Sequence, residues 1–398
     1  MYTGSTAFVL VIALFYSFSL QGLLTLLPLY ANSIGVEPAL LGLLVSFPAW
    51  FLVLLRIPSG ALADKWGERA ILIGSTLLMA FSVPLYVKGT LLALVMAQAL
   101  TGLSRTAYHP AAESYMSKNA GKMLGAAMGL YHTLSSAGLI AGPVIAGYLV
   151  VRMGYAAGFV AIGAGGLVSA LLALRLQTAS NPTAQQAETH GLSTLAGVVR
   201  SRAVLLAGLS RYAAAVPLAL LSSLVPLYLS QLGMSPQIVG GIVSLRGLFL
   251  LLGSLTYAVT FNRWPKQYSW FFGLLLTGTG FFLMPFFTQA LPLAVCVAVT
   301  GFGSSPLQIL PVILISENTP PEQRGLAIAF SGTMWGLALV INPLLFGVIA
   351  QFASLGYAFY AAAVPLLALS LLTKVVFRWA EATNSDSAAR LDAADDLF

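Results

Sequence analysis

The sequence predicts an all-α integral membrane protein: twelve transmembrane helices in two six-helix bundles related as a parallel repeat. Composition is the first observation. Of 398 residues, 58% are hydrophobic and 8% charged, whereas a soluble domain carries about 25% charged residues. Mean hydropathy is +0.89, which leaves too little polar surface to coat a water-soluble globule. The second is run length. The apolar residues fall in long continuous runs, whereas a lipid-facing barrel shows alternating segments of about ten residues. Phe, Trp and Tyr at 11% supply rings for the membrane interfaces. The third is that the chain matches itself at a nearly fixed offset.

A helix needs about 20 apolar residues to cross a bilayer. Twelve such runs occur, at residues 6–31, 38–62, 70–88, 90–117, 122–151, 155–176, 203–231, 236–260, 267–287, 290–316, 323–352 and 355–379. The first is too long for a signal core and lacks a basic leader, so it is expected to be retained. Residues 177–202 are polar and are expected to be a cytoplasmic linker between an N-terminal bundle (1–176) and a C-terminal bundle (203–379). Residues 380–398 are rich in Ala, Ser and Asp and are expected to be a disordered cytoplasmic tail.

The net charge of +7 comes from Lys and Arg in short loops, so it marks topology and not a nucleic-acid surface. With the N-terminus inside, thirteen basic residues, among them Lys65, Arg69, Lys118 and Lys122, fall in inner segments. Only Lys88 and Arg152 fall outside. Both termini are therefore expected in the cytoplasm, and the short loops suggest a prokaryotic cell membrane. Cys296 is the single cysteine, so neither an internal disulfide nor a Cys-based metal site is expected.

The repeat is carried by ordered matches. At an offset of 198, Leu27-Pro28-Leu29-Tyr30 falls on Val225-Pro226-Leu227-Tyr228, Gly35 on Gly233, Pro38 on Pro236 and Gly42 on Gly240. At 200, Gly125 falls on Gly325, Pro143 on Pro343 and Gly147 on Gly347. Shared apolar composition does not produce ordered Pro and Gly matches, and parallel repeats belong to secondary transporters with a site between the halves.

Two motifs give the sequence a family likeness. Between spans 2 and 3, Gly60-Ala61-Leu62-Ala63-Asp64-Lys65-Trp66-Gly67-Glu68-Arg69 resembles the signature loop of the major facilitator superfamily, with Glu68 in place of a basic residue. Span 5 carries Gly138-Leu139-Ile140-Ala141-Gly142-Pro143-Val144-Ile145-Ala146-Gly147, which resembles that family's antiporter motif, with Ala146 replacing a glycine. The resemblance covers about residues 5 to 380. It implies that Gly60, Asp64, Lys65, Gly67 and Arg69 gate the cycle, with Asp64 latching onto the start of span 11 near Arg324. It also implies proton-coupled export, with Gly138, Gly142, Pro143 and Gly147 shaping span 5. Tyr108-His109-Pro110-Ala111-Ala112 is similar to a His-Pro segment of fosmidomycin-resistance-type exporters.

Ionisable groups inside a membrane are functional candidates because burying them is costly. Arg105, His109 and Glu113 are four apart on span 4 and share a helix face, and His132 lies at a similar depth on span 5. These four are the proton-coupling candidates. Arg56 is expected to snorkel or to pair with an acid, and Arg211 to reach the inner interface. Arg246 sits near mid-membrane, where it meets either substrate or backbone carbonyls and water. Cavity candidates by depth are Tyr16, Gln21, Tyr108, Tyr131, Tyr212, Arg246, Gln308, Trp335 and Asn342.

No nucleotide-binding loop, nucleophile elbow or metalloprotease helix occurs, so no enzyme activity, cofactor or metal is expected. The expected function is proton-coupled efflux of drug-like or metabolite molecules by a monomer in the lipid bilayer, with the proton as coupling ion. An importer or facilitator for an organic anion, and a non-transporting receptor or scaffold, remain alternatives.

Overall fold

The computed structural model describes residues 4–55, 66–119, 124–177, 201–260 and 263–380. The first half comprises α1 (Gly4–Ser33), α2 (Pro38–Leu54), α3 (Glu68–Lys88), α4 (Leu91–Asn119), α5 (Leu124–Met153) and α6 (Tyr155–Ala173). The second comprises α7 (Arg202–Leu221), α8 (Leu224–Gln231), α9 (Pro236–Thr260), α10 (Lys266–Leu283) with a 3-10 turn at Met284–Phe286, α11 (Ala290–Asn318), α12 (Pro321–Phe352) and α13 (Leu355–Leu371). A last helix, α14 (Thr373–Ala380), is bent 63° from α13. With α7–α8 and α13–α14 each counted as one span, there are twelve among the described residues. Among the described residues, nine spans are long and apolar enough to cross a membrane by those criteria alone, and the bent pair makes a tenth. The described part of α2 is short, with 17 residues. The mean hydropathy of α4 is lowered by its own polar stripe.

Helix starts follow local chemistry. Pro38 and Pro236 open α2 and α9, at positions where the missing N–H costs nothing. The turns before them contain Gly35 and Gly233, both with φ +79°, a left-handed conformation that glycine adopts without strain. These two glycines are a matched pair of the repeat, so the backbone carries it as well as the sequence.

Spans 7 and 12, expected to be continuous, are broken. Pro226 has no N–H for the Ser222 carbonyl four residues back. Pro28, its repeat mate, sits inside an unbroken α1. Ser223 is matched by Thr25, and both hydroxyls donate to the carbonyl four residues back (2.6 Å to Ala219 and 3.0 Å to Gln21). The difference is therefore Ser222, which has Leu24 as its mate and adds a second hydroxyl donor to the Ala219 carbonyl (3.1 Å).

Two seams join the halves at the end opposite the Lys/Arg-rich loops, here called the far end. At the first, a Cβ on Gly42 of α2 would lie 2.2 Å from the Pro343 carbonyl oxygen of α12, and one on Gly347 would lie 2.6 Å from the Pro38 oxygen. At the second, a Cβ on Gly240 of α9 would lie 2.1 Å from the Pro143 oxygen of α5, and one on Gly147 would lie 2.4 Å from the Pro236 oxygen. Each residue of one seam is the repeat mate of a residue in the other. The matched glycines and prolines are therefore where backbones cross at van der Waals distance. Asn32 donates to Ser230 Oγ (3.3 Å) across the same end. On the first seam only, Gln351 donates to Glu37 (2.9 Å) and accepts from the Ala39 amide (3.2 Å).

Candidate functional site

Away from the far end the halves part around a cavity of about 410 Å³. The α4 stripe faces into it. Arg105, His109 and Glu113 all line the cavity, as their spacing predicted, and so does His132 of α5. Of the nine cavity candidates, Gln21, Tyr131, Arg246, Gln308 and Trp335 line it. Tyr16 and Tyr108 do not. They stack on each other inside the first half, with ring centroids 3.6 Å apart. Ser104 Oγ gives its one hydrogen to the Ser75 carbonyl (2.7 Å), so it accepts from the Tyr16 hydroxyl (2.9 Å). Tyr212 and Asn342 are also set back from the cavity, where Tyr212 donates to Asn342 Oδ1 (3.2 Å).

Arg211 corrects an expectation. It does not reach the interface but lines the cavity. Its Nη1 donates to the Gln308 carbonyl (2.8 Å), and its guanidinium lies 5.5 Å from the Trp335 ring centroid. Sequence reasoning also missed Ser17, Ser135 and Ser136 in the lining. The available signal was helical spacing, because Ser17 precedes Gln21 by one turn and Ser135 and Ser136 follow His132 by one turn.

The antiporter-like motif divides in two. A Cβ on Gly138 would lie 2.2 Å from the Leu14 oxygen, and one on Gly142 would lie 2.4 Å from the Phe18 oxygen. These glycines seat α5 on α1 within one half. Pro143 and Gly147 belong to the seam with the other half. In the signature loop, Gly60, Asp64 and Lys65 lie outside the described residues, as does Arg56. Gly67 opens α3 with φ +80°, and Arg69 donates to the Leu174 carbonyl (2.9 Å). Glu68, where the chain departs from the family pattern, has a use of its own. It is buried, ion-paired to Lys118 of α4, and accepts from Ser114 Oγ (2.8 Å). Glu68→Gln is expected to lower stability by about 1–3 kcal/mol in thermal unfolding. In a Lys118→Met background the same change is expected to cost less, and an unchanged cost would dismiss the pair.

With this geometry in place, comparison with known proteins adds the following. The Major Facilitator Superfamily model matches residues 9–235 and 203–394. An uncharacterized MFS-type transporter of Methanocaldococcus jannaschii is 21% identical over 344 residues, 82% of this chain and 86% of that one. A multi-drug resistance efflux pump PmrA homolog of Lactococcus lactis is 25% identical over 372 residues, 91% of this chain and 90% of that one. Among solved structures, the nucleoside transporter NupG superposes with a TM-score of 0.81 at 16% identity, covering 94% of this chain and 100% of that one. The POT family transporter PepTSo superposes with 0.77 at 11% identity, covering 96% and 99%.

Proposed function

This chain belongs to the Major Facilitator Superfamily, and from that premise we propose that it is a secondary active transporter that exports small organic molecules in exchange for protons, by alternating access of the cavity between its halves. The observation that carries the proposal is the cavity's titratable wall. Glu113 is the one carboxylate among the described lining residues, and His109 and His132 line the same space. A carboxylate or imidazole there can take up a proton from one side and release it to the other as access alternates. Export is supported by the antiporter-like segment of α5 and by the efflux-pump homolog. The Lys/Arg-rich loops support a cytoplasmic position for that end in a cell membrane, and on that reading the cavity is closed outward and open inward.

The test uses inside-out vesicles energised to an acidic interior, with a panel of lipophilic cations, zwitterions and organic anions and a pH dye. Some compound is expected to release protons, and the release is expected to disappear in Glu113→Gln. No release by any compound, from protein shown to be folded, would sink proton-coupled export. A facilitator or importer of organic anions is the second reading, favoured by the buried arginines Arg105 and Arg246. Uptake without proton movement would select it.

A further inference from the structure

Three arginines and one carboxylate, Glu113, are among the described residues that line the cavity. Arg105 of α4 is 9% exposed and Arg246 of α9 is 6% exposed. Both line the cavity, and among the described residues neither has a carboxylate within ion-pair distance. Arg246 Nε and Gln308 Nε2 are buried with no hydrogen-bond partner. Arg211, the third arginine, is already engaged with the Gln308 carbonyl and the Trp335 ring. Arg105 also lines a narrow recess together with Leu218 of α7, Ser222 just after it, and Pro343 of α12. It therefore borders space that the two halves share. A buried guanidinium without a counter-charge is costly, and an unsatisfied buried donor adds to the cost. Both costs are relieved by a ligand rich in acceptors and carrying negative charge.

We propose that the substrate is a small organic anion, a carboxylate or phosphonate, held between Arg105 of the first half and Arg246 and Gln308 of the second. The inference rests on the transporter reading above and names its substrate class. A guanidinium matches the two oxygens of such a head group with paired N–H donors. Bridging the halves also gives the ligand the means to bias their relative position, since it contacts both.

Four one-ring compounds differing in charge test this: benzoate, phenylphosphonate, benzyl alcohol and benzyltrimethylammonium. Each is titrated against the purified full chain in neutral detergent, following the unfolding midpoint by the reactivity of Cys296, the lone and buried thiol. The two anions are expected to raise the midpoint, and the neutral and cationic compounds are not. Arg105→Gln and Arg246→Gln are each expected to weaken anion binding by roughly tenfold or more. Arg246→Lys is expected to recover part of it, and Arg152→Gln, an exposed control, to change nothing. Counterflow of phenylphosphonate in proteoliposomes is expected to follow the same order.

Equal binding of the cation, or anion binding that survives both glutamine variants, would overturn the proposal. So would displacement of phenylphosphonate by phosphatidylglycerol, which would assign the site to a lipid phosphate. If proton-coupled transport is found for cations alone, the anion site falls and the exporter stands. If no compound of any charge binds or moves, both fall.

Discussion

Replacing Gly42 and Gly240 together by alanine is expected to open the far end. Each added methyl would sit 2.2 or 2.1 Å from a proline carbonyl oxygen on the opposite half. No flexible side-chain end is available there to move aside. Overpacking of this kind costs about 1–3 kcal/mol per site, so two sites together are expected to shift the balance between closed and open far ends by roughly 30-fold or more. Asn32→Cys reports it, because Asn32 joins the halves at that end and the only native thiol, Cys296, is buried. Labelling of the introduced thiol by a membrane-impermeant maleimide from the far side is expected to rise accordingly in the double variant. Gly241→Ala is the control, since its Cβ would meet nothing within 4 Å. Unchanged labelling in a folded double variant would remove the glycine seams as the closure.

Gly138→Ala and Gly142→Ala are expected to act differently although they lie in the same motif as Gly147. Their added methyls would meet the Leu14 and Phe18 backbone oxygens of α1 at 2.2 and 2.4 Å, inside one half. That packing lies within one half, so a shift of the halves relative to each other is not expected to absorb the changes. Each is expected to cost about 1–3 kcal/mol of stability and lower the detergent unfolding midpoint. Gly147→Ala faces the Pro236 oxygen of the other half and is expected to raise far-side labelling with a smaller fall in midpoint. Equal falls for all three would dismiss the division of the motif.

The spans were legible because bilayer thickness fixes the length of an apolar run. The repeat was legible because its matched residues are the glycines and prolines of the seams, where no other side chain fits. The α4 stripe was legible because four-residue spacing fixes a helix face. Depth alone does not fix a face, and there the reading failed. Tyr108 is next to His109, yet it turns into the first half while His109 turns to the cavity. Arg211 was placed by its distance from a helix end, whereas a carbonyl on a neighbouring helix decides where its long side chain goes. The break in span 7 was hidden for a related reason. Pro28 and Pro226 are the same residue at matched positions, and the hydroxyl of Ser222, where the first half has Leu24, is the added competitor beside the interrupted one.

That break has a mechanical meaning. The first half carries its span 1 as an unbroken rod, while the second half carries the matching span as two pieces and bends its last span by 63°. At spans 1 and 7 the two copies therefore differ in where a helix is interrupted. If access alternates as proposed, the distortion is expected to concentrate where the second half is already broken. The first half, with its span 1 unbroken, is then expected to serve as the anvil against which the other flexes, a lopsided motion on a nearly symmetric plan.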